Sequence, residues 1–409
     1  MLPIGYSQLD VCFQRDNFYI CASMSLTHKI YESFKELPPE WNACVHPQLA
    51  MHADELAISE RAGLNHVQYY YVMTYEDEQL VLLSYYQQLH IYPEHFNCRD
   101  KIFQHHSLNL TLSVMQPSLL VVGNLFRHDA QYFHFVQKEF STEQQASIYK
   151  QTFDMMLLHA KTTGIFLKDL PASFAASIEA DESYRSMEED VSMELNIPPT
   201  WTSIQDYEKM LKHKYVQRYK KIIKQQDGLV VRKLSLEDIE LHASDIEQLY
   251  LQVTNNQLVS MGKLNQSFFL ELKKQLKDNY VVHGWFLEQR MVAFSSAIVH
   301  DDMYDMNYIG FDYTINQSNA IYFNILFHCL EQAILTHSKK LVLGRTALEA
   351  KAILGCEPAY QHSYYKLRNV VINWFYKKIS AGFKEQIGEK WKDRHPFKSS
   401  YYTADLAEK

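Results

Sequence analysis

One order of elements occurs twice along the chain, and this repetition limits the fold more than any single motif. In the first half a helical pattern at His46–Ala62 precedes a hairpin, Gln68–Thr74 and Leu80–His90, around the acidic turn Tyr75–Gln79. Strands at Leu108–Leu112 and Ser118–Asn124, a helix at Thr142–Thr162 and a strand at Ile165–Leu170 follow. In the second half helical patterns at Asp238–Asn256 and Gln266–Leu276 precede a hairpin, Tyr280–Leu287 and Met291–Val299, around Glu288-Gln289-Arg290. A strand at Met303–Phe311, a helix at Ala320–His337 and a strand at Leu341–Arg345 complete the copy. Apolar residues at a helical period separate the helices from the alternating strands. A polar turn between two aromatic, β-branched runs is the hairpin pattern. Such a chain folds as two α+β domains, each a mixed, mostly antiparallel sheet flanked by helices.

The punctuation agrees. Ile197-Pro198-Pro199-Thr200-Trp201 is the sharpest break, since proline continues neither helix nor sheet. The expected division is 1–196, a linker at 197–201, a second domain at 202–385 and a polar tail at 386–409. With 409 residues the chain supplies two ordinary domains. In the first copy Ser25–Leu37 also reads as a helix, and Tyr184–Leu195 as a pair of short strands. The second domain opens with a basic helix, Ser203–Gln226, with Tyr207, Leu211, Tyr215, Tyr219 and Ile223 on one face. A second basic helix is expected at Val370–Gln386.

Composition narrows the chemistry. The six cysteines are scattered without CxxC spacing, and only two of the 19 histidines, His105 and His106, are adjacent, so no metal site is expected. A formal net charge of −8 argues against a general nucleic-acid coat protein but not against a local basic patch. No apolar run approaches the length of a membrane span, and Met1–Met24 lacks the pattern of a secretory signal. Reduced thiols in a cytoplasmic protein are the expectation.

Asp302–Glu357 organises the second copy. Its central strand alternates, which sets Asp305 and Asn307 on one face and Tyr304, Met306 and Tyr308 on the other. A polar face on a buried strand needs partners or a cleft. After the joint Asp312–Asn319, Ser318 or Asn319 is expected to cap the long helix, whose free N–H groups favour an anion.

Three stretches carry a family likeness. Trp201–Tyr207 leads into Lys214-Tyr-Val-Gln-Arg218-Tyr-Lys-Lys221; Tyr304–Phe311 leads into the long helix; and Gly344-Arg345-Thr-Ala-Leu-Glu349-Ala-Lys351-Ala-Ile-Leu-Gly355-Cys-Glu-Pro358 closes the segment. With the duplicated order of elements they resemble the GNAT superfamily, the acyl-CoA N-acyltransferase fold, and more closely its tandem FemAB-like and peptidoglycan-related bacterial members. Leu119–Phe126 is the weaker counterpart in the first copy. The resemblance implies two GNAT-like domains and an N-acyltransferase that moves an acyl group from a coenzyme A thioester, as co-substrate, to a primary amine by direct attack. The alternatives are an aminoacyl-tRNA-dependent, FemAB-like transferase acting on a cell-wall or lipid amine, and a degenerate binding module. The superfamily's glycine-rich pyrophosphate loop has no counterpart in Asp312–Tyr322, and the chain holds only 12 glycines.

On that reading Glu349, in a loop after the last strand, takes a proton from the amine, and Lys351 holds the donor or stabilises an oxyanion. Asp305 and Tyr308 join them as catalytic candidates, with Tyr308 returning a proton to the leaving group. Arg345, Asn307, Ser318 and Asn319 are the donor-binding candidates, an arginine fork being suited to phosphate or carboxylate. Lys214, Arg218 and Lys221 are candidates for phosphate or tRNA. Gly123, Asn124 and Asp169 mark strand ends in the first copy.

Overall fold

A computed structural model describes residues 13–15, 18–21, 26–46, 50–96, 106–127, 131–136, 140–187, 190–226, 228–257, 259–300, 302–368 and 390–401. The basic helix expected at Val370–Gln386 lies outside them. In chain order, the principal elements of the first half are β1 (Leu26–Tyr31), α1 (Ala53–Arg61), β2 (Val67–Glu76), β3 (Gln79–His90), α2 (His106–Met115), β4 (Ser118–Val122), β5 (Phe133–Phe135), α3 (Thr142–His159), β6 (Gly164–Leu167) and α4 (Ala172–Glu179). The chain continues through β7 (Val191–Asn196), α5 (Ile204–Met210), α6 (His213–Lys224), β8 (Leu229–Lys233), α7 (Ala243–Thr254), α8 (Gln266–Leu276), β9 (Tyr280–Leu287) and β10 (Arg290–His300). It ends with β11 (Met303–Phe311), α9 (Tyr313–Asn319), α10 (Ile321–Leu335), β12 (Lys340–Gly344), α11 (Leu348–Leu354), β13 (Glu357–Tyr360) and β14 (Tyr364–Leu367).

Two compact units result. In the first, β2, β3 and β4 are antiparallel neighbours and β4 pairs in parallel with β6, with α3 as the crossover. In the second, β9, β10 and β11 are antiparallel neighbours and β11 pairs in parallel with β12, with α10 as the crossover. The duplicated α+β architecture is thus present, and the fold is a tandem of GNAT-like units by its strand order. Both hairpins close on two residues with positive φ, Asp77 (47°) and Glu78 (68°) in one, Glu288 (48°) and Gln289 (70°) in the other. Paired left-handed residues give the twist that a two-residue hairpin needs.

Each sheet is extended by a strand from the other half of the sequence. β14 lies beside β6 in the first unit, and β7 lies beside β12 in the second. The break at 197–201 therefore falls within the second unit rather than between units: β7 ends at Asn196, and Trp201 is buried beside Tyr207. The prolines terminate a strand. Residues 390–401 also pack in the second unit. There Phe397 stacks on Tyr401, the Lys212 amide donates to the Pro396 carbonyl at 2.8 Å, and the Lys398 amide to that of Met210 at 2.9 Å.

Three elements differ from expectation. Leu26–Tyr31 is a strand, because Leu26, His28 and Ile30 alternate inward. Leu108–Leu112 lies in α2, where an alternating pattern leaves Leu110 exposed while Leu112 is buried. The basic helix is broken at Leu211–Lys212, where the backbone extends to meet the 396–398 segment. Among the described residues no helix is long and apolar enough to cross a membrane.

Candidate functional site

β11 and β12 begin as neighbours and then separate. They pair at Met303–Lys340, Tyr304–Leu341 and Asp305–Val342, although β11 continues to Phe311 and β12 to Gly344. On its other side β12 stays paired with β7 as far as Gly344. The strands thus part just beyond Asp305, and the β12-facing edge of β11 leaves the ladder there. Parallel strands bond evenly while they remain adjacent, so an early separation leaves edge N–H and C=O groups open to an extended ligand.

A bulge falls at the same level. Ala297 is opposite Met306 and Ser295 opposite Ile309, so Asn307 and Tyr308 together face Ser296. The Ser296 hydroxyl donates to the Tyr308 carbonyl and accepts from the Tyr308 amide, both at 3.1 Å. A bulge of this kind bends the strand and re-aims its side chains. Tyr304, Met306, Ile309 and Phe311 all pack in the core that contains α10. Tyr308 does not join Tyr304 and Met306, as unbroken alternation would require. Its ring stands edge-on to Tyr250, Phe268 and Phe269 of α7 and α8, 5.7–6.1 Å away. Asp305 is 1% exposed, and neither amide atom of Asn307 has a hydrogen-bond partner among the described residues.

The remaining candidates are dispersed. Thr346–Gly355 is mostly the short helix α11 rather than a loop. Glu349 and Lys351, two residues apart on it, point different ways because residues at that spacing do not share a helix face. Glu349 is half-exposed and paired with Arg394. Lys351 is buried, and that burial holds its amine down to about 7. Arg345 donates to both oxygens of Asp190 at 2.6 Å, which makes an ion pair within the unit rather than a fork aimed at a donor. Ser318 and Asn319 cap nothing. Asp312 caps α9 by accepting from the Thr314 amide at 2.9 Å, and Ala320, left-handed at φ 46°, starts α10. The Asn319 amide side chain instead donates to the Gln225 carbonyl at 3.3 Å, and Gln225 to that of Ser318 at 3.0 Å. Lys214, Arg218 and Lys221 are exposed on α6. Sequence reasoning misses Ser296, Asp190, Asp312 and Arg394. Their partners lie 12 to 155 residues away for Ser296, Asp190 and Arg394, and only Asp312, two residues before Thr314, carries a local capping pattern.

In the first unit the equivalent place is filled. β4 ends at Val122, the chain leaves at Gly123 (φ 116°) and returns as β5 to pair again with β3. The excursion is fastened at both ends, by the Gly123 amide on the Tyr85 carbonyl at 3.2 Å and the Tyr85 amide on the Tyr132 carbonyl at 3.0 Å. Asn124 accepts from the Phe126 amide at 2.9 Å, Gln87 accepts from the Leu125 amide at 2.7 Å, and buried Arg127 pairs with Glu55 at 3.0 Å. Asp169, left-handed at φ 54°, pairs with Lys168 at 2.8 Å. Here β4 and β6 stay together over Leu119–Val122 and Gly164–Leu167, to the ends of both strands.

No protein-family profile and no curated protein matches the chain. Among solved structures it is similar to FemX, at 8% identity and a TM-score of 0.48 over 83% of this chain and 98% of that one. It is also similar to a tandem GNAT protein from the clavulanic acid biosynthesis pathway, at 8% identity and 0.46 over 84% and 99%. A third is L-PGS from Bacillus licheniformis, at 10% identity and 0.43 over 80% and 93%. These are likenesses of arrangement. The class that the strand order defines is a tandem GNAT-like fold.

Proposed function

We propose that the second unit is an N-acyltransferase whose acyl donor lies in the opening between β11 and β12. The observation that supports this is the coincidence, at Asp305–Tyr308, of strand separation, a bulge and a buried carboxylate. An extended, amide-bearing donor such as a coenzyme A thioester can add to the open edge of β11 as a further strand does. Its carbonyl then meets backbone N–H groups, which stabilise the developing oxyanion. A primary amine attacks the carbonyl carbon, the C–N bond forms and the C–S bond breaks. The amine's proton passes to Asp305 or to water, and a proton returns to the leaving thiolate. Asn307 is the neutral polar group beside the reacting carbonyl. Asp305 also favours an acceptor that arrives as a cation. Glu349 and Lys351 act on this reading through the placement of α11, and Tyr308 as a packed wall. Most of the acceleration comes from holding the amine and the carbonyl in line.

Thiol release from a panel of acyl-coenzyme A thioesters, with amine acceptors, tests the proposal; aminoacyl-tRNA donors form a second arm. Asp305→Asn is expected to lower kcat/KM by about 10²–10⁴, with Asn307→Ala smaller. Turnover unchanged in both variants overturns the residue assignment. Neither binding nor turnover of any thioester overturns the donor.

A further inference from the structure

α6 presents a face that the proposed chemistry does not use. Its 12 residues, His213–Lys224, carry five lysine or arginine side chains and no carboxylate, in a chain whose net charge is −8. The inner side is anchored: Tyr215 and Ile222 are buried, and Tyr219 packs 4.9 Å from Phe327. Lys214, Arg218, Lys221 and Lys224 are exposed, and none has a carboxylate partner among the described residues. Only Lys220 has one, Glu208 at 2.9 Å. An ordinary solvated helix interleaves opposite charges at i,i+3 and i,i+4, whereas like charges at those spacings destabilise it. Lys214–Arg218, Arg218–Lys221, Lys221–Lys224 and Lys220–Lys224 are all like pairs. At about 1.5 Å per residue the row from Lys214 to Lys224 runs for about 15 Å.

We infer that this outward face of α6 docks on an anionic phospholipid bilayer. Charge complementarity selects a phosphate-rich partner. The form of the face selects a fluid, flat one: the cations are long and lack carboxylate partners, and the rings nearest them, Tyr215 and Phe323, are covered by Lys214 at 5.3 Å and by Arg218 at 5.1 Å rather than left bare. Single-stranded nucleic acid asks for exposed rings on which bases stack, and Tyr215 and Tyr219 face the core. A polybasic row next to an anionic leaflet is attracted without any fixed contact geometry. The C-terminal end of α6 is tied through Gln225 to Ser318 and Asn319, in the segment after β11. Docking there holds the second unit against the surface with its β11–β12 opening close by. The inference stands whether or not the unit transfers acyl groups.

Co-sedimentation of the full chain with vesicles tests it. Binding is expected to vesicles of mixed phosphatidylglycerol and phosphatidylcholine, to weaken with salt, and to be absent with phosphatidylcholine alone. Lys214→Glu with Arg218→Glu and Lys221→Glu is expected to lower the partition coefficient by about a hundredfold or more. Reversal at exposed Lys35, Lys161 and Lys277 should leave it near the parent value. The glutamine triple at positions 214, 218 and 221 should show the same loss at smaller size, which keeps the test open if the glutamate triple fails to fold. Equal partition of parent and both triples overturns the inference. So does binding to duplex RNA with none to the anionic vesicles.

Discussion

Arg345 reaches back 155 residues to Asp190 and donates to both of its carboxylate oxygens at 2.6 Å. The pair fastens the end of β12 to the residue just before β7, the strand that flanks it. Asp190 is almost wholly buried, its side chain 6% exposed, while that of Arg345 is 25% exposed. Removing Arg345 leaves the buried Asp190 carboxylate without this counterion, and such a loss costs about 3–5 kcal/mol for a fully buried pair. Arg345→Ala or Asp190→Ala is therefore expected to cost about 2–4 kcal/mol in urea denaturation. The double variant should cost less than the sum of the two. A donor-binding role would instead raise KM without lowering stability, so denaturation and kinetics together decide.

Acid should loosen both units through buried, neutral histidines. Burial lowers His28 to about 4, His283 to about 3 and His328 to about 4, from an ordinary 6.5; for His283 the neighbouring His328 and Lys233 add to the effect. The rings of His283 and His328 are 4.5 Å apart. A folded-state pKa below the unfolded one means that the unfolded chain takes up the proton first. Stability is thus full above pH 6.5 and falls as the pH drops toward 3–4. The slope is roughly 1.4 kcal/mol per pH unit for each histidine. Denaturation midpoints measured between neutrality and about pH 5, above most carboxylate titration, should fall steadily. A flat profile over that range would contradict the prediction.

The docking of residues 390–401 depends on a glycine. Gly355, left-handed at φ 105°, ends α11, and a Cβ there would run into the ring of Phe397. Gly355→Ala combines backbone strain with overpacking and is expected to cost about 2–4 kcal/mol. It should also release the C-terminal segment. Limited proteolysis ought to show new cleavage around Lys390–Lys398 in the variant and protection in the parent.

Ser296 holds the bulge at Tyr308 with two bonds from one hydroxyl. Ser296→Ala removes both while leaving the strands paired. The expected loss of stability is about 1–2 kcal/mol. If the opening is the reacting site, kcat/KM should fall about tenfold or more, since a small misplacement near the chemistry costs rate. Unchanged kcat/KM beside a measurable loss of stability would separate the bulge from the chemistry.

Much of the architecture is legible in the sequence because it is local. The polar turns of both hairpins, the long helices and the strands after them come from periodicity and turn chemistry among near neighbours in the chain. Asp305 and Asn307 stand out as polar positions on an apolar strand, and both lie where the strands part. The alternation rule then fails for Tyr308, because a bulge against Ser296 adds one residue and reverses the facing of the residues beyond it. Glu349 and Lys351 look like partners by spacing, but α11 turns them apart. Ser318 and Asn319 look like caps, but Asp312 starts a helix earlier.

The sequence by itself determined two copies of a hairpin, a strand, a long helix and a further strand. Each is specified by which residues nearby in the chain can share a face. Only the tertiary structure decided that β7 and β14 sit in the sheets of the opposite halves, that residues 390–401 close over Gly355, and that β11 leaves β12 at Asp305. Strand neighbours are chosen by edge hydrogen bonds, which nearly every residue offers alike, and by packing between segments distant in the chain. Neither leaves a periodic trace in the sequence.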